Sequence, residues 1–406
     1  MTSKYITRQI EPILEKAARE FPAVVLLGPR QSGKTTLLRH FSNELYPIIS
    51  LEPPDVRLAA TNDPRGFLNI YQPPIVFDEI QNVPDLLPYI KERIDLHRDQ
   101  AGQYILTGSQ NLLLMSQVTE SLAGRAAIFK LLPLTRREVF GMPDKPFPWE
   151  EETRDVFPAQ SREELWSAIL RGSYPEIVAN PTRNTRSWHN SYLQTYLERD
   201  VRNLRNLGDL GTFQVFLRAL AARSAQLLNL SELARDVGIS VNTVKDWISI
   251  LEASFQVFIL RPYFGNLTKR LVKSPKVYFM DTGLLCHLVG LRDVEHAYAG
   301  PMGRLIFENM VVADLYKTYL HRGEDSPLYF WRTSMGDEVD LVIDTQTGLL
   351  PVEIKLSETP NLEMASGIKV FQEAFGEKAR PGIVVHPGDM LLPLGKGVTT
   401  LPLNRL

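Results

Sequence analysis

Cysteine is nearly missing: Cys286 is the single thiol in 406 residues. That excludes an intramolecular disulfide and a Cys-rich zinc site, fits a reducing compartment, and leaves Cys286 to be read as a buried thiol rather than a nucleophile. Long hydrophobic runs are missing too. No apolar stretch approaches the roughly 20 residues that span a bilayer. The opening MTSKYITRQIEPILEKAARE is amphipathic and charged, unlike a secretory leader, so no membrane partner and a cytoplasmic location are expected. Nor is there an excess of one charge: 45 Lys and Arg stand against 47 Asp and Glu, for a net charge of -2. Any attraction to nucleic acid must therefore come from local basic patches.

What is present is ordinary folded sequence, 44% hydrophobic and 23% charged. Its length implies two to four domains of ~100–200 residues. Ala23 to Leu27 reads as a strand buried on both faces of a parallel sheet. Gly28, Gly33, Lys34 and Thr35 then match G-x-x-x-x-G-K-[ST], and a helix-compatible TLLRHF follows. In such a loop the backbone from Gly28 through Arg30, Gln31 and Ser32 to Gly33, with Thr36 behind it, cradles phosphate at a helix N-terminus. Lys34 neutralises the β and γ phosphates, and Thr35 ligates Mg2+. ATP and Mg2+ are the cofactors expected.

A second apolar strand, PPIVFDEI, ends in Asp78 and Glu79. There Asp78 would hold the Mg2+ through water, and Glu79 would polarise the attacking water. A third strand, GQYILTGSQN, ends in Thr107, Ser109, Gln110 and Asn111. Polar residues at that end can touch the γ-phosphate or the lytic water, an arrangement that resembles sensor 1 of AAA+ ATPases.

The runs SLAGRAAIFKLLPLTRREVF, LRGSYPEIV and YLQTYLERDV resemble a bacterial and archaeal AAA+ family whose C-terminal part is a restriction-endonuclease-like domain. The resemblance implies an ATPase core, a helical lid, and DNA-related modules beyond them. It makes Arg125 of LAGR a candidate arginine finger or sensor, supplied in trans if the chain forms a homo-oligomer. The alternative for Arg125 is a structural ion pair.

Residues 142–158 are Pro-rich and acidic and read as a boundary, with helical periodicity resuming at Arg162. In WHNSYLQTYLERDVRNLR, Arg199, Arg202 and Arg205 fall within two turns and could touch phosphate or form a solvated face. Leu230, Leu233, Ala234 and Val237 share one helix face, Gly238-Ile239-Ser240 makes a turn, and Val244, Trp247, Ile248 and Leu251 mark a second helix. Two strand-like runs joined by a basic loop complete a winged helix-turn-helix. Lys245 on the second helix and Lys269, Arg270, Lys273 and Lys276 on the wing are its candidate DNA contacts, chiefly to phosphates. The alternative is a brace between domains.

In the last part, Glu308 lies in a helix, Asp340 in a strand, and Glu353 and Lys355 on one face of the next strand. This ordered set is that of a PD-(D/E)xK nuclease. Glu308, Asp340 and Glu353 would hold Mg2+ or Mn2+, and Lys355 would orient the attacking water. The alternatives are buried ion pairs and DNA binding without cleavage. The fold expected is α/β: an AAA+ P-loop core (1–150) with a helical lid (151–225), a winged helix (226–285) and a restriction-endonuclease-like domain (286–406). The function expected is ATP hydrolysis coupled to DNA remodelling or cleavage; the alternative is a nucleotide-controlled switch that cuts nothing.

Overall fold

The computed structural model describes residues 5–42, 46–109, 121–151, 155–197, 210–265 and 272–406. Strands β1 (Ala23–Leu27), β2 (Ile48–Ser50), β3 (Ile75–Asp78), β4 (Tyr104–Gly108) and β5 (Ala126–Lys130) form an all-parallel sheet in the order β2-β3-β4-β1-β5. Helices α1 (Glu11–Glu20), α2 (Lys34–Ser42), α3 (Pro54–Asn62), α4 (Pro64–Ile70) and α5 (Leu87–Leu96) belong to the same module. Every residue of β1, β3 and β4 is buried, as their unbroken apolar runs require. Alternation splits β1 between two cores. Val24 and Leu26 pack with Leu14, Leu37 and Leu38 from α1 and α2. Val25 and Leu27 belong to the cluster that holds Phe67, Ile90 and Ile94 from α4 and α5. Each such side chain contributes roughly 1.5–3 kcal/mol on burial.

Beyond β5 come α6 (Arg136–Val139), α7 (Arg162–Arg171), α8 (Pro175–Ala179), α9 (Thr185–Tyr192) and α10 (Leu210–Ala221). Thr135 opens α6 and Ser161 opens α7, each through a reciprocal capping box with the glutamate three residues on. The expected helix pair is α11 (Leu230–Val237) and α12 (Val241–Ala253), joined at Gly238, whose φ of 77° is left-handed. Trp247 of α12 packs edge-on against Phe213 and Phe216 of α10. Strands β6 (Val257–Leu260) and β7 (Lys276–Phe279) follow as an antiparallel pair.

After α13 (Thr282–Leu288) and α14 (Val294–Ala299), the long helix α15 (Gly303–His321) is buried along nearly its whole length. It touches β5, β7 and the second sheet. That sheet comprises β8 (Leu328–Arg332), β9 (Glu338–Thr345), β10 (Gly348–Ile354), β11 (Gly382–His386) and β12 (Val398–Pro402), ordered β12-β11-β10-β9-β8 with α16 (Ser366–Phe375) packed on it. One apolar cluster runs from Ala23 to Leu406 and joins both sheets through α15.

Candidate active site

The loop between β1 and α2 lies at the carboxyl edge of the parallel sheet, where such folds bind ligands. Gly28 is required there by close approach: a Cβ would fall 2.0 Å from the Leu131 carbonyl oxygen. Gly33 has φ of 95°, and even Gln31 sits at φ 62°, so the loop is held in a left-handed conformation that non-glycine residues adopt at a cost. Lys34 Nζ donates to the Gly28 and Pro29 carbonyls, both at 3.0 Å. Ser32 is fully buried. A cavity of about 490 Å3 opens beside the loop, lined by Gln31, Gly33, Lys34, Thr35, Thr36 and Glu79, with Tyr5, Ile6 and residues of α8 opposite.

β4 lies between β1 and β3, so Thr107 and Ser109 sit beside Asp78 and Glu79. Thr35 Oγ1 donates to Asp78 Oδ2 at 2.9 Å, and Thr107 Oγ1 donates to Asp78 Oδ1. A hard Mg2+ bound through one or two carboxylates and phosphate oxygens asks for this kind of donor set, and Thr35 and Asp78 fit it. Glu79 has a left-handed φ of 60°. Ser109 Oγ donates to Glu79 Oε2 at 3.0 Å, and Gln81, a residue sequence reasoning missed, donates to the same oxygen. Burial opposes ionisation of Glu79, but Lys34, Gln81, Arg30 and Ser109 outweigh it and hold the carboxyl below its usual range. Gln110 and Asn111 lie outside the described residues, as do Arg199, Arg202 and Arg205.

Behind the loop is a second missed set. Arg8, buried, donates to the Ser32 carbonyl at 2.8 Å, the Leu132 carbonyl at 2.7 Å and Glu138 Oε1 at 3.0 Å. Glu138 also accepts from the Gln9 and Thr135 amides. His321, at the end of α15, places Nδ1 3.2 Å from Glu138 Oε1. Its Nε2 accepts from the Leu132 amide at 2.9 Å, so the neutral ring carries its proton on Nδ1, facing the carboxylate. Burial lowers the His321 pKa, with Glu138 opposing.

Two expected site residues fall elsewhere. The Arg125 carbonyl accepts from Ala23 N–H at the start of β1, which puts Arg125 at the far edge of the sheet, about 16 Å from the loop at ~3.3 Å per strand residue. It therefore does not reach its own chain's phosphates. Its guanidinium grips Asp95 through two bonds of 2.6 and 2.9 Å, the structural ion pair that was the alternative. Lys276 is no surface contact for DNA: it lies buried in β7, 3.0 Å from Glu308 and 2.6 Å from Glu338. Lys245 and Lys273 are exposed, whereas Lys269 and Arg270 lie outside the described residues.

The C-terminal acids do converge, but on lysines. Glu308 Oε1 accepts from Lys276 at 3.0 Å and from Tyr278 at 2.7 Å. Asp340 Oδ2 accepts from the Ile354 amide at 2.9 Å and from Lys355 at 3.1 Å, and Lys355 also pairs with Glu353. Burial and the Asp340 carboxylate push Glu353 well up; burial pushes Glu308 up against the pull of Lys276. Among the described residues no group of three or more His, Cys, Asp or Glu is arranged to hold a metal. In this structure Glu308 is paired with Lys276, and Asp340 and Glu353 with Lys355, the buried ion pairs that were the alternative to a metal site.

Residues 20–140 match the family described as an AAA domain, residues 162–295 a domain of unknown function (DUF8612), and residues 304–406 another (DUF4143). An uncharacterized protein of Mycobacterium tuberculosis is 29% identical over 402 residues, covering 97% of this chain and 82% of its own. One of Methanocaldococcus jannaschii is 24% identical over 371 residues, covering 86% and 78%. Among solved structures, the Walker-type ATPase PABY2304 of Pyrococcus abyssi matches 69% of this chain and 94% of its own at 18% identity and a TM-score of 0.46. AMPPCP-bound DnaA from Aquifex aeolicus matches 60% and 85% at 14% and 0.29. The N-terminal module is an AAA-type P-loop core in a mixed α/β chain. No helix among the described residues is long and apolar enough to cross a membrane.

Proposed function

We propose that this chain is a nucleotide-controlled switch that binds ATP at the P-loop, hydrolyses it, and passes its nucleotide state to the C-terminal module. The observation that carries this reading is the convergence of Lys34, Thr35, Asp78 and Glu79 at one edge of the sheet, with Ser109 and Gln81 holding the Glu79 carboxylate. Lys34 binds the β and γ phosphates. Thr35 and Asp78 would hold Mg2+, which supplies charge neutralisation when bound. Glu79, kept ionised, accepts a proton from the attacking water, oriented by Ser109. The C-terminal acids brace the fold and cut no phosphodiester.

Lys34→Ala should abolish ATP binding. Glu79→Gln should keep it while turnover falls about 10²- to 10⁴-fold, the usual contribution of a positioned base. Unchanged turnover in Glu79→Gln would refute the assignment of the base. A second reading, with DNA as the partner of the α11–α12 pair and its hairpin, is favoured by the exposure of Lys245 and Lys273. Replacing both by alanine should flatten the salt dependence of DNA binding by about one unit of slope for each phosphate no longer neutralised; an unchanged slope removes that reading.

A further inference from the structure

We propose that the cleft between α9, α10 and α13 is a binding site for a phosphoryl oxyanion, held by Arg186, Arg218 and Arg292. The cleft has a volume of about 560 Å3, within the roughly 300–1,000 Å3 of small-molecule sites. It shares no lining residue with the P-loop cavity. The three arginines come from three separate places: Arg186 from α9, Arg218 from α10, and Arg292 from the turn between α13 and α14. His189, Asn190 and His287 complete its polar wall, and among the described residues no Asp or Glu lines it. In a chain with 47 acids and a net charge of -2, this imbalance is local rather than compositional.

Among the described residues no acid pairs with these guanidinium groups. Each of the three arginines is exposed, and none has an ion pair or side-chain hydrogen bond among the described residues. Asp281, 3.8 Å from His189, is buried and already occupied by the amides of Ser173 and Leu284 and by the Ser173 hydroxyl. His189 is buried with its Nε2 lacking any hydrogen-bond partner, 3.8 Å from Asp281 Oδ1. Burial first, then His189, Arg186 and Arg218, push His287 down to about 4. An anion with several acceptor oxygens suits three exposed guanidinium groups lining one cleft. Guanidinium forks match phosphate geometry bidentately, and three of them can enclose one phosphoryl group or two neighbouring ones.

A free phosphorylated metabolite and a nucleic-acid strand present the same group, so the test has an arm for each. In the full-length Lys34→Ala chain, tripolyphosphate binding is measured by calorimetry, and binding of a fluorescein-labelled single-stranded 12-mer by anisotropy. Because Lys34 is already removed, the outcome is independent of the nucleotide reading. Arg186→Ala, Arg218→Ala and Arg292→Ala should each weaken binding about 5- to 20-fold, as loss of a charge-assisted hydrogen bond does. All three side chains are exposed, so thermal melts should stay at the parent value. Tighter binding of tripolyphosphate identifies a phosphorylated small molecule; tighter binding of the oligonucleotide identifies a strand. If neither probe binds, or if the triple alanine variant binds both as its parent does, the proposal is overturned.

Discussion

Arg8→Ala is the sharpest perturbation of the region behind the P-loop, because one buried side chain there serves three acceptors. Removing it strands the Glu138 carboxylate and leaves the Ser32 and Leu132 carbonyls without a donor. Breaking a buried ion pair costs about 3–5 kcal/mol, and each orphaned buried acceptor about 1–3 kcal/mol. Glu138 keeps the Gln9 and Thr135 amides, which softens the first cost, so the net loss expected is about 4–6 kcal/mol. Arg8→Lys keeps the charge but offers one ammonium where a fork made three bonds, and should lose about half as much.

Two measurements check this. Urea unfolding followed by tryptophan fluorescence gives stability, and titration with ATP gives affinity. Both Arg8 variants should bind ATP about tenfold more weakly, because the Ser32 carbonyl is no longer tied down. The double variant Arg8→Ala, Glu138→Gln should regain stability relative to Arg8→Ala, since its buried charge is gone. A loss below ~1 kcal/mol with unchanged ATP affinity, or strictly additive effects in the cycle, would refute the reasoning.

His321→Gln should separate the pH dependence of that same region. The wild-type imidazole is held neutral, so its stabilisation is complete above the unfolded pKa near 6.5 and is lost as pH falls below it, by about 1.4 kcal/mol per unit. The stability gap between wild type and His321→Gln should close from pH 7 to 5; a constant gap contradicts the assignment. Lys276→Met should cost about 3–5 kcal/mol by stranding Glu308, and adding Glu308→Gln should restore most of it; loss of DNA affinity with no change in stability would return Lys276 to the surface. Glu353→Gln should be neutral or stabilising near pH 7. A carboxyl whose folded pKa is raised holds its proton at a cost that is absent below the unfolded pKa and grows as pH rises toward the folded one. A Glu353→Gln chain that loses stability with rising pH relative to wild type would mean the acid is ionised.

The P-loop, its strand and its helix were legible because each rests on local signals: a β-branched run, glycines where the backbone must close in, and a helix-compatible stretch after them. The α11–α12 pair was legible through 3.6-residue periodicity, and Gly238 marked its turn. What was not legible depends on approach between distant segments. Glu138 meets Arg8 from 130 residues away and His321 from 183; the only local trace of it is the capping box Thr135–Glu138. Lys276 looked like a surface cation because lysines usually are, yet it belongs to a strand buried at all four positions. The C-terminal acids were placed together correctly by their spacing. Lys355 lies within that spacing, but the Lys276 ammonium that meets Glu308 arrives from β7, which no spacing within 308–355 reveals. That Arg125 immediately precedes β5 at the end of the sheet away from the loop and pairs with Asp95 could not be read from its neighbours in sequence, which do not say which end of a parallel strand they sit on.

The run 131–138 is where the P-loop and α15 meet. Leu131 N–H donates to the Leu27 carbonyl at 2.7 Å, while its own carbonyl closes over Gly28. The Leu132 amide bonds to His321, the Leu134 carbonyl accepts from Lys317 at 2.8 Å, and the Arg136 amide donates to Asp314 at 2.7 Å. His321, Lys317 and Asp314 all belong to α15. Arg8 returns from Glu138 to Ser32 and closes the loop. These bonds lie in a close-packed interior, where a displaced group must either lose its partner or carry it along. A nucleotide that shifts the Ser32 carbonyl therefore acts on α15 through Arg8 and Glu138, or leaves a buried group unsatisfied. Under the proposed switch the resulting coupling should be about 1–3 kcal/mol, and by linkage it runs both ways: whatever binds the C-terminal module must change ATP affinity by the same factor.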